Sequence, residues 1–257
     1  MIRDVDSGDA ALLEPPPCAI IKIMVDFSQI TKQVCVGVYL TDVDLHATFG
    51  RASQIEQGLD RWIADLPANI RPRLQSNGII SLRDARAPRW VKRQRLVLTI
   101  RYHNLRTLMF GALLLRSTKE ERIAFPESYQ GVQKCLESDR QTIEIIYEAL
   151  QHNDFFRTWF YNTTYTVYAA SIILVYITRE APQGEIQSLQ QLVGMSIDIL
   201  ELMNESVVTQ AAAKMLKKAK DATEQGPDVS TEVIEDGRLL NHYWGRLDLI
   251  DGDFCST

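Results

Sequence analysis

The sequence predicts an all-α protein. Apolar residues recur at spacings of three and four in successive segments, which is the pattern of amphipathic helices. Proline and glycine separate these segments, and the sequence has neither a strand-like alternation nor a repeat of fixed period. We expect one domain of about seven helices over residues 18–221, with an irregular N-terminal segment, residues 1–17, and an acidic, aromatic tail, residues 222–257.

The first two helices are predicted from apolar spacing and from a helix stop. Residues 18–40 allow a strand because many are β-branched, but their apolar period favours a helix. Ser53-Gln54-Ile55-Glu56 matches a capping box, in which Ser53 and Glu56 each satisfy a free amide, and it predicts the start of the second helix. Pro67 ends this helix because proline lacks an amide hydrogen and restricts the residue before it.

The same criteria predict five further helices. Their approximate ranges are 90–116, 128–151, a helix that contains the uncharged run 158–178, 185–204 and 207–222. Asn153 and Asp154 are candidate caps for the third of them. The uncharged run has 21 residues, which is long enough to cross a bilayer. Its asparagine, threonine, serine and tyrosine side chains favour a buried central helix over a membrane span, so we expect no membrane partner.

Charge is distributed unevenly along the chain. The net charge is −5, yet residues 221–257 hold nine acidic residues and two arginines. Residues 71–106 hold ten basic residues and a single acidic one, Asp84. A basic first half and an acidic end fit a protein that acts through interactions with other molecules.

The cysteines and the N-terminal residues bear on the cellular compartment. The sequence contains Cys18, Cys35, Cys135 and Cys255 and no C-x-x-C pair, so it predicts no zinc site. A disulfide framework is not expected in a chain of this size, which fits a reducing compartment. Acidic residues interrupt the N-terminal region and Pro15-Pro16-Pro17 follows, which argues against a signal peptide.

The sequence offers no catalytic signature. It has no GxSxG, HExxH, P-loop or GxGxxG motif, and its four histidines lie far apart. Asp42-Val43-Asp44-Leu45-His46 contains a DxD pattern, but a lone DxD is more often a cap or a solvated turn than a metal site. We therefore expect no enzyme, no catalytic residue, no metal ligand and no cofactor in this chain.

Two motifs carry a resemblance to a known family. The first is Leu59–Pro67, in which Trp62 stands four residues before Leu66-Pro67, and the second is Leu96–Leu105, which contains Tyr102-His103. Their order and spacing resemble the fungal-specific transcription factor domain, the helical middle homology region of binuclear zinc-cluster regulators. The resemblance runs from about residue 19 to residue 221 and includes Cys135, Trp159, Tyr165–Ala170 and Ala211–Ala213.

The chain departs from the family pattern at two points. The Arg-Pro pair that commonly ends the Tyr-His helix is replaced by Phe110-Gly111-Ala112-Leu113. The six-cysteine zinc cluster, with the linker and coiled coil that follow it in the family, is absent from this sequence. Zinc is therefore expected only in an N-terminal cluster that this chain lacks.

The resemblance implies regulation of transcription in the nucleus, with a metabolic gene cluster as a candidate target. It implies transcription machinery or a coactivator as partner, a small-molecule effector, and a homodimer as a candidate assembly. DNA would be contacted through the absent cluster or through a partner protein. Two alternatives stay open: a stand-alone helical adaptor or inhibitor of a full-length regulator, and an all-α enzyme acting on a hydrophobic metabolite.

Three groups of residues are candidate sites. Trp62, Leu66, Pro67, Tyr102 and His103 are either core residues, which base rates favour, or the lining of an effector pocket. Arg89, Lys92 and Arg93, in a basic stretch that begins at Arg83, are candidate phosphate contacts beside Trp90, although a solvated helix start is the simpler interpretation. The tail places aromatic and aliphatic residues among carboxylates, a composition that fits an activation segment and a tail packed on the domain equally well. These residues are Tyr243, Trp244, Leu247, Leu249 and Phe254.

Overall fold

The computed structural model of the chain describes residues 17–41, 43–72, 74, 87–152, 160–203 and 206–225. Within these ranges every regular element is helical, which confirms the all-α class. The described elements are α1 (Pro17–Val34), a π segment (Cys35–Tyr39), α2 (Leu45–Asp65), α3 (Arg89–Arg116), α4 (Lys119–Ala124), α5 (Pro126–His152), α6 (Phe160–Arg179), α7 (Gln183–Leu202) and α8 (Val207–Gln225).

The chain divides into two compact units within the last third of α5. Unit 1 comprises residues 1–145 and contains α1 to α4 with most of α5. Unit 2 comprises residues 146–257 and contains the end of α5 with α6, α7 and α8. The predicted ends of α3, α5, α7 and α8 differ from the observed ends by at most three residues, which is the usual uncertainty of a helix terminus.

The first helix ends in a π segment whose backbone carbonyls accept hydrogen bonds from two arginines. The Leu40 amide donates to the Cys35 carbonyl at 2.9 Å, which is the wide hydrogen bond of a π turn. Arg116, at the end of α3, donates to the carbonyls of Val38 and Tyr39, each at 2.8 Å. These carbonyls lie where a helix end leaves acceptors unpaired, so the guanidinium of Arg116 joins the end of α1 to the end of α3. Arg51 of α2 donates to the Gly37 carbonyl of the same segment at 3.3 Å.

The second helix begins earlier than predicted. Asp44 is its N-cap, and the Asp44 carboxylate accepts a hydrogen bond from the Ala47 amide at 2.7 Å. Ser53 and Glu56 lie in the middle of α2, so the capping box predicted at these residues is wrong. Backbone amides in a helix interior are bonded to the preceding turn and leave nothing for Ser53 to cap.

The predicted end of α2 at Pro67 is confirmed. The helix ends at Asp65, and Leu66, directly before the proline, is extended with a ψ of 146°. The Leu66 amide still donates to the Ile63 carbonyl at 3.2 Å, so the chain leaves the helix within a single residue.

The sequence prediction missed the short helix α4. The Thr118 hydroxyl accepts from the Glu121 amide at 3.2 Å, and the Glu121 carboxylate accepts from the Thr118 amide at 2.8 Å. This is a capping box of the kind that was expected at Ser53. Arg122 follows it, buried, and donates to the Ser117 carbonyl at 2.5 Å. Six residues are too few for an apolar period to be recognised.

The third helix, α3, is the centre of unit 1. Leu98, Tyr102 and Leu105 are buried on one face of α3, and Thr99 and Ile100 are buried on its other sides. The elements α1, α2 and the π segment all pack on it. A helix covered on several sides needs apolar residues around most of its circumference, which explains why its apolar stripe is wider than one face.

The close approach of α5 to α3 is made possible by Gly131. A Cβ atom added to this residue would overlap with Leu113 Cδ1 and would lie 3.2 Å from Phe110 Cδ1. Leu113 and Phe110 are fully buried, so little room exists for them to move away.

In unit 2, α6, α7 and α8 each pack on the other two. Residues 166–177 of α6 are all buried, which accounts for the uncharged run of the sequence. The helices α7 and α8 bury one face each, with Val193, Leu200 and Leu216 among the residues inside. None of the helices in the described part of the chain has the length and hydropathy that a membrane span requires. The predicted cap at Asn153 and Asp154 lies outside the described residues.

Candidate functional site

The tryptophan of the first motif lies inside unit 1. The Trp62 ring is 8% exposed and packs on Phe27 of α1, with the two ring centroids 5.0 Å apart. Leu66 is buried, whereas Pro67 is exposed. The Trp62 indole N–H has no hydrogen-bond partner among the described residues. The first motif therefore fastens the end of α2 to α1 through an apolar contact.

The Tyr-His pair of the second motif lies on α3, and Tyr102 contacts α2. The Tyr102 hydroxyl donates to Asp60 Oδ1 at 2.9 Å, and the His103 ring meets the Tyr102 ring edge-on at 5.2 Å. Burial raises the pKa of the Tyr102 phenol, and the Asp60 carboxylate adds to this shift. Burial, with the nearby Arg106 cation, lowers the pKa of His103 to about 3, so the imidazole is neutral at physiological pH. His103 Nδ1 has no hydrogen-bond partner within the described ranges.

One turn away from this pair, a buried carboxylate joins three helices. Glu56 of α2 accepts from Arg106 of α3 through Oε1 at 2.8 Å and from Lys134 of α5 through Oε2 at 2.5 Å. The Lys134 ammonium also lies 5.1 Å from the centroid of the Phe110 ring, a cation–π contact. Each oxygen of Glu56 thus has its own cation, which offsets the cost of burying its charge.

A second polar cluster lies deeper, between α3 and α5. The Thr107 hydroxyl donates to Asp139 Oδ1 at 2.7 Å, and the Cys135 thiol lies 3.6 Å from Asp139 Oδ2. Burial raises the pKa of both groups well above their usual values: that of the Asp139 carboxyl, and that of the Cys135 thiol, to which Asp139 also contributes. Both groups therefore favour their protonated forms.

The pKa shifts of Cys135 and Asp139 limit the chemical reactivity of these groups. A reactive cysteine needs a lowered pKa and access to solvent, and Cys135 has neither. Burial disfavours the charged form of Asp139, whose two oxygens lie against the Thr107 hydroxyl and the Cys135 thiol. The geometry supports a role of both clusters in joining helices to one another.

The DxD pattern of the sequence serves as a helix start. Asp44 caps α2, and the His46 ring packs on Phe125 with centroids 4.8 Å apart. Asp42 lies outside the described residues. Across the described ranges, no three His, Cys, Asp or Glu side chains come together in a way that could hold a metal ion.

The candidate phosphate contacts lie together at the start of α3. Arg89 and Arg93 are exposed and Lys92 is half-buried, and the spacing of three and four residues places them on one side of the first turn. This turn contains no acidic residue and its N-cap, Pro88, provides no side-chain cap. Free backbone amides and cationic side chains at the start of a helix form a surface that suits a phosphate group. Direct contact with nucleic acid stays a prediction.

The tail candidates Tyr243, Trp244, Leu247, Leu249 and Phe254 lie outside the described residues, as do Arg83 and Trp159. The sequence prediction missed Glu56, Lys134 and Asp139. Their only local signal was the presence of charged residues on the apolar faces of α2 and α5, because the partners of these residues are distant in sequence.

Comparison with models of known protein families, with curated proteins and with solved structures gives no significant match to the chain. The resemblance to the fungal-specific transcription factor domain therefore stays a prediction that rests on the motifs of the sequence.

Proposed function

We propose that this chain is a transcription regulator whose helical body corresponds to the regulatory domain of a fungal zinc-cluster transcription factor. One observation carries the proposal furthest: the two motifs that suggested the family meet in space. Tyr102 of the second motif bonds to Asp60, which lies inside the first motif, two residues from Trp62. A shared contact gives a physical reason for both motifs to occur at this spacing in one sequence.

The acidic, aromatic tail supplies the activating surface in this proposal. Carboxylates keep such a segment solvated, while Trp244 and Phe254 offer the large apolar side chains that dock on a coactivator. The helical body regulates how much of this surface is accessible, in response to a small molecule or a partner protein. The process takes place in the nucleus, with a metabolic gene cluster as the candidate target.

A reporter assay tests the proposal. The full chain is fused to an unrelated DNA-binding domain, and the activation of a reporter gene is compared with that of a fusion lacking residues 223–257. A third fusion retains the tail but carries Trp244→Ser and Phe254→Ser. We expect both changes to lower activation at equal protein abundance, as measured by immunoblot. A fusion lacking only residues 1–16 is the control. Equal activation by all four fusions contradicts the proposal.

A stand-alone adaptor of a full-length regulator is the second candidate. Four cysteines cannot form a six-cysteine cluster, so DNA contact through such a cluster would come from a partner protein in this proposal. Co-purification of the tagged chain with a zinc-cluster protein favours the adaptor. A reporter that responds to the tethered chain by itself favours the first candidate.

A further inference from the structure

Two buried hydroxyls of α6 differ from most of the buried hydroxyls in the described part of the chain. Thr163 and Thr166 are 1% and 0% exposed, and neither Oγ1 atom has a hydrogen-bond partner within the described ranges. Nine other buried serines and threonines each form at least one hydrogen bond: Thr48, Thr99, Thr107, Ser117, Ser128, Ser138, Thr142, Ser196 and Thr209.

A hydrogen-bond acceptor is normally within reach of a threonine hydroxyl in a helix, yet Thr163 and Thr166 use none. A threonine in a helix can donate to a carbonyl of the preceding turn, as Thr178 of the same helix does to Leu174 at 3.1 Å. Neither Thr163 nor Thr166 does so. A buried hydroxyl without a partner loses its bonds to water and gains none in return, so such groups are rare in folded proteins.

Thr163 and Thr166 are neighbours on α6. Residues three apart on a helix are neighbours, with Cβ atoms about 5–6 Å apart, so one oxygen atom can bond to both side chains at once. The next turn of α6 continues with the small residues Ala169 and Ala170. The helix carries a single charged residue, Arg179, at its opposite end. A charged group bound beside Thr163 and Thr166 would have no counter-ion on this helix.

We infer that Thr163 and Thr166 form a binding site for one neutral oxygen atom inside unit 2. The oxygen belongs to a hydroxyl or a carbonyl group, and two sources share this chemistry: an internal water molecule and the polar end of an otherwise apolar organic molecule. Buried water characteristically bonds to polar groups that otherwise have no partner. An organic molecule with one hydroxyl or carbonyl group supplies the same bonding atom. The inference does not depend on a role in transcription.

Isosteric substitutions of the full chain test this site. Thr163→Val, Thr166→Val and the double variant remove the hydroxyls and keep the shape of the side chains. Thr178→Val, which removes a hydroxyl bonded within the same helix, is the control. Circular dichroism verifies that each variant folds, and thermal unfolding gives its Tm.

The sign of the Tm change decides the result. Loss of a bound oxygen is expected to lower Tm by about 2–4 °C relative to the unsubstituted protein, since a lost hydrogen bond has an effect of this order in a protein of this size. Thr178→Val, which loses a known hydrogen bond, provides the scale of comparison. We expect the double variant to lose less than the sum of the single variants, because both side chains hold the same oxygen. A dry core predicts the opposite: removing two unpaired hydroxyls leaves Tm unchanged or raises it, which overturns the inference.

A crystal structure at high resolution distinguishes the two sources of the oxygen. Density for one isolated atom within hydrogen-bond distance of both hydroxyls identifies water. Extended density, together with an added mass on the native protein in mass spectrometry, identifies an organic molecule. A core without any density between the two hydroxyls contradicts the proposed site.

Discussion

Tyr102 donates a hydrogen bond to Asp60 across 2.9 Å, and through it the central helix α3 is joined to α2. The two residues differ in environment, because the Tyr102 ring is buried and Asp60 is exposed. Removing the Tyr102 hydroxyl therefore leaves Asp60 in contact with water, whereas removing the Tyr102 ring creates a cavity in the core.

Substitution of Tyr102 separates these two contributions. Tyr102→Phe is expected to lower the free energy of unfolding by about 0.5–1.5 kcal/mol, the net value of one hydrogen bond. Tyr102→Ala is expected to lower it by about 3–5 kcal/mol, since it also removes the ring from the core. Urea unfolding measures both. Equal losses in the two variants would mean that the hydrogen bond, and not packing of the ring, determines the stability of this contact.

The carboxylate that joins three helices provides a second prediction. Glu56→Gln leaves Arg106 and Lys134 without their counter-ion, and we expect a loss of about 1–3 kcal/mol, reduced from the buried-pair value because Lys134 is partly solvated. Glu201→Gln, which removes the exposed partner of Lys217, is the matched control with an expected change of about 0–1 kcal/mol. Losses of similar size in urea unfolding would argue against a special role of the buried carboxylate.

The neutral imidazole of His103 makes the protein less stable in acid. Its pKa is about 3 in the folded protein and 6.5 for an ordinary histidine, so the unfolded chain takes up the proton first as the pH falls. The contribution of His103 is complete above pH 6.5 and is lost towards pH 3, and between pH 7 and 5.5 the loss amounts to about 1 kcal/mol. We expect His103→Phe to lose less stability than the wild type over this interval. Parallel curves of unfolding free energy against pH would contradict the assignment.

The Asp139 carboxyl has the opposite effect on the pH dependence. Because burial raises its pKa in the folded protein, the folded state holds this proton where the unfolded chain releases it. Its contribution is complete below about pH 4 and is lost as the pH rises through the folded pKa. Asp139→Asn keeps the polar group without the proton equilibrium, so the variant is expected to gain stability relative to the wild type from pH 4 to pH 7. Glu137→Gln, at an exposed position of the same helix, is the control and is expected to show no such trend.

Two glycine substitutions are expected to have effects of opposite sign. Gly131→Ala forces a methyl group against Leu113 and Phe110, and overpacking should outweigh the gain in helix propensity, giving a net loss of about 1–2 kcal/mol. Gly58→Ala in α2 meets no atom within 4 Å and should raise stability by about 0.5–1 kcal/mol. A stabilising effect of both changes in thermal unfolding would show that α3 and α5 can move apart without cost.

The sequence predicts the features of this fold that depend on neighbouring residues. The stop at Pro67 and the uncharged helix α6 are determined by local chemistry, and both are found where they were expected. The capping box shows the limit of such reasoning, because Ser53-x-x-Glu56 and Thr118-x-x-Glu121 match the same pattern and only the second caps a helix. What distinguishes them is the earlier start of α2 at the Asp44 cap, which places Ser53 inside the helix, while Glu56 binds Arg106 and Lys134.

The polar clusters of the candidate site could not be predicted from the sequence, because their members are far apart in it. Thr107 and Asp139 are 32 residues apart, and Glu56 and Lys134 are 78 residues apart. No spacing rule connects residues at such separations, so their pairing depends on how the helices pack. The pair Thr163 and Thr166 is different: its spacing is visible in the sequence, but the missing hydrogen bonds become visible only when burial is known.

The contacts of Tyr39 and Arg116 affect the order in which the chain acquires its structure. Tyr39 bonds to Leu108 and Arg116 to Val38, at separations of 69 and 78 residues, so unit 1 has to close long loops before these bonds form. The helices of unit 2 follow one another directly and contact their sequence neighbours. Since folding rates fall as the separation of contacting residues grows, α6, α7 and α8 are expected to assemble first, although unit 1 precedes them in the chain.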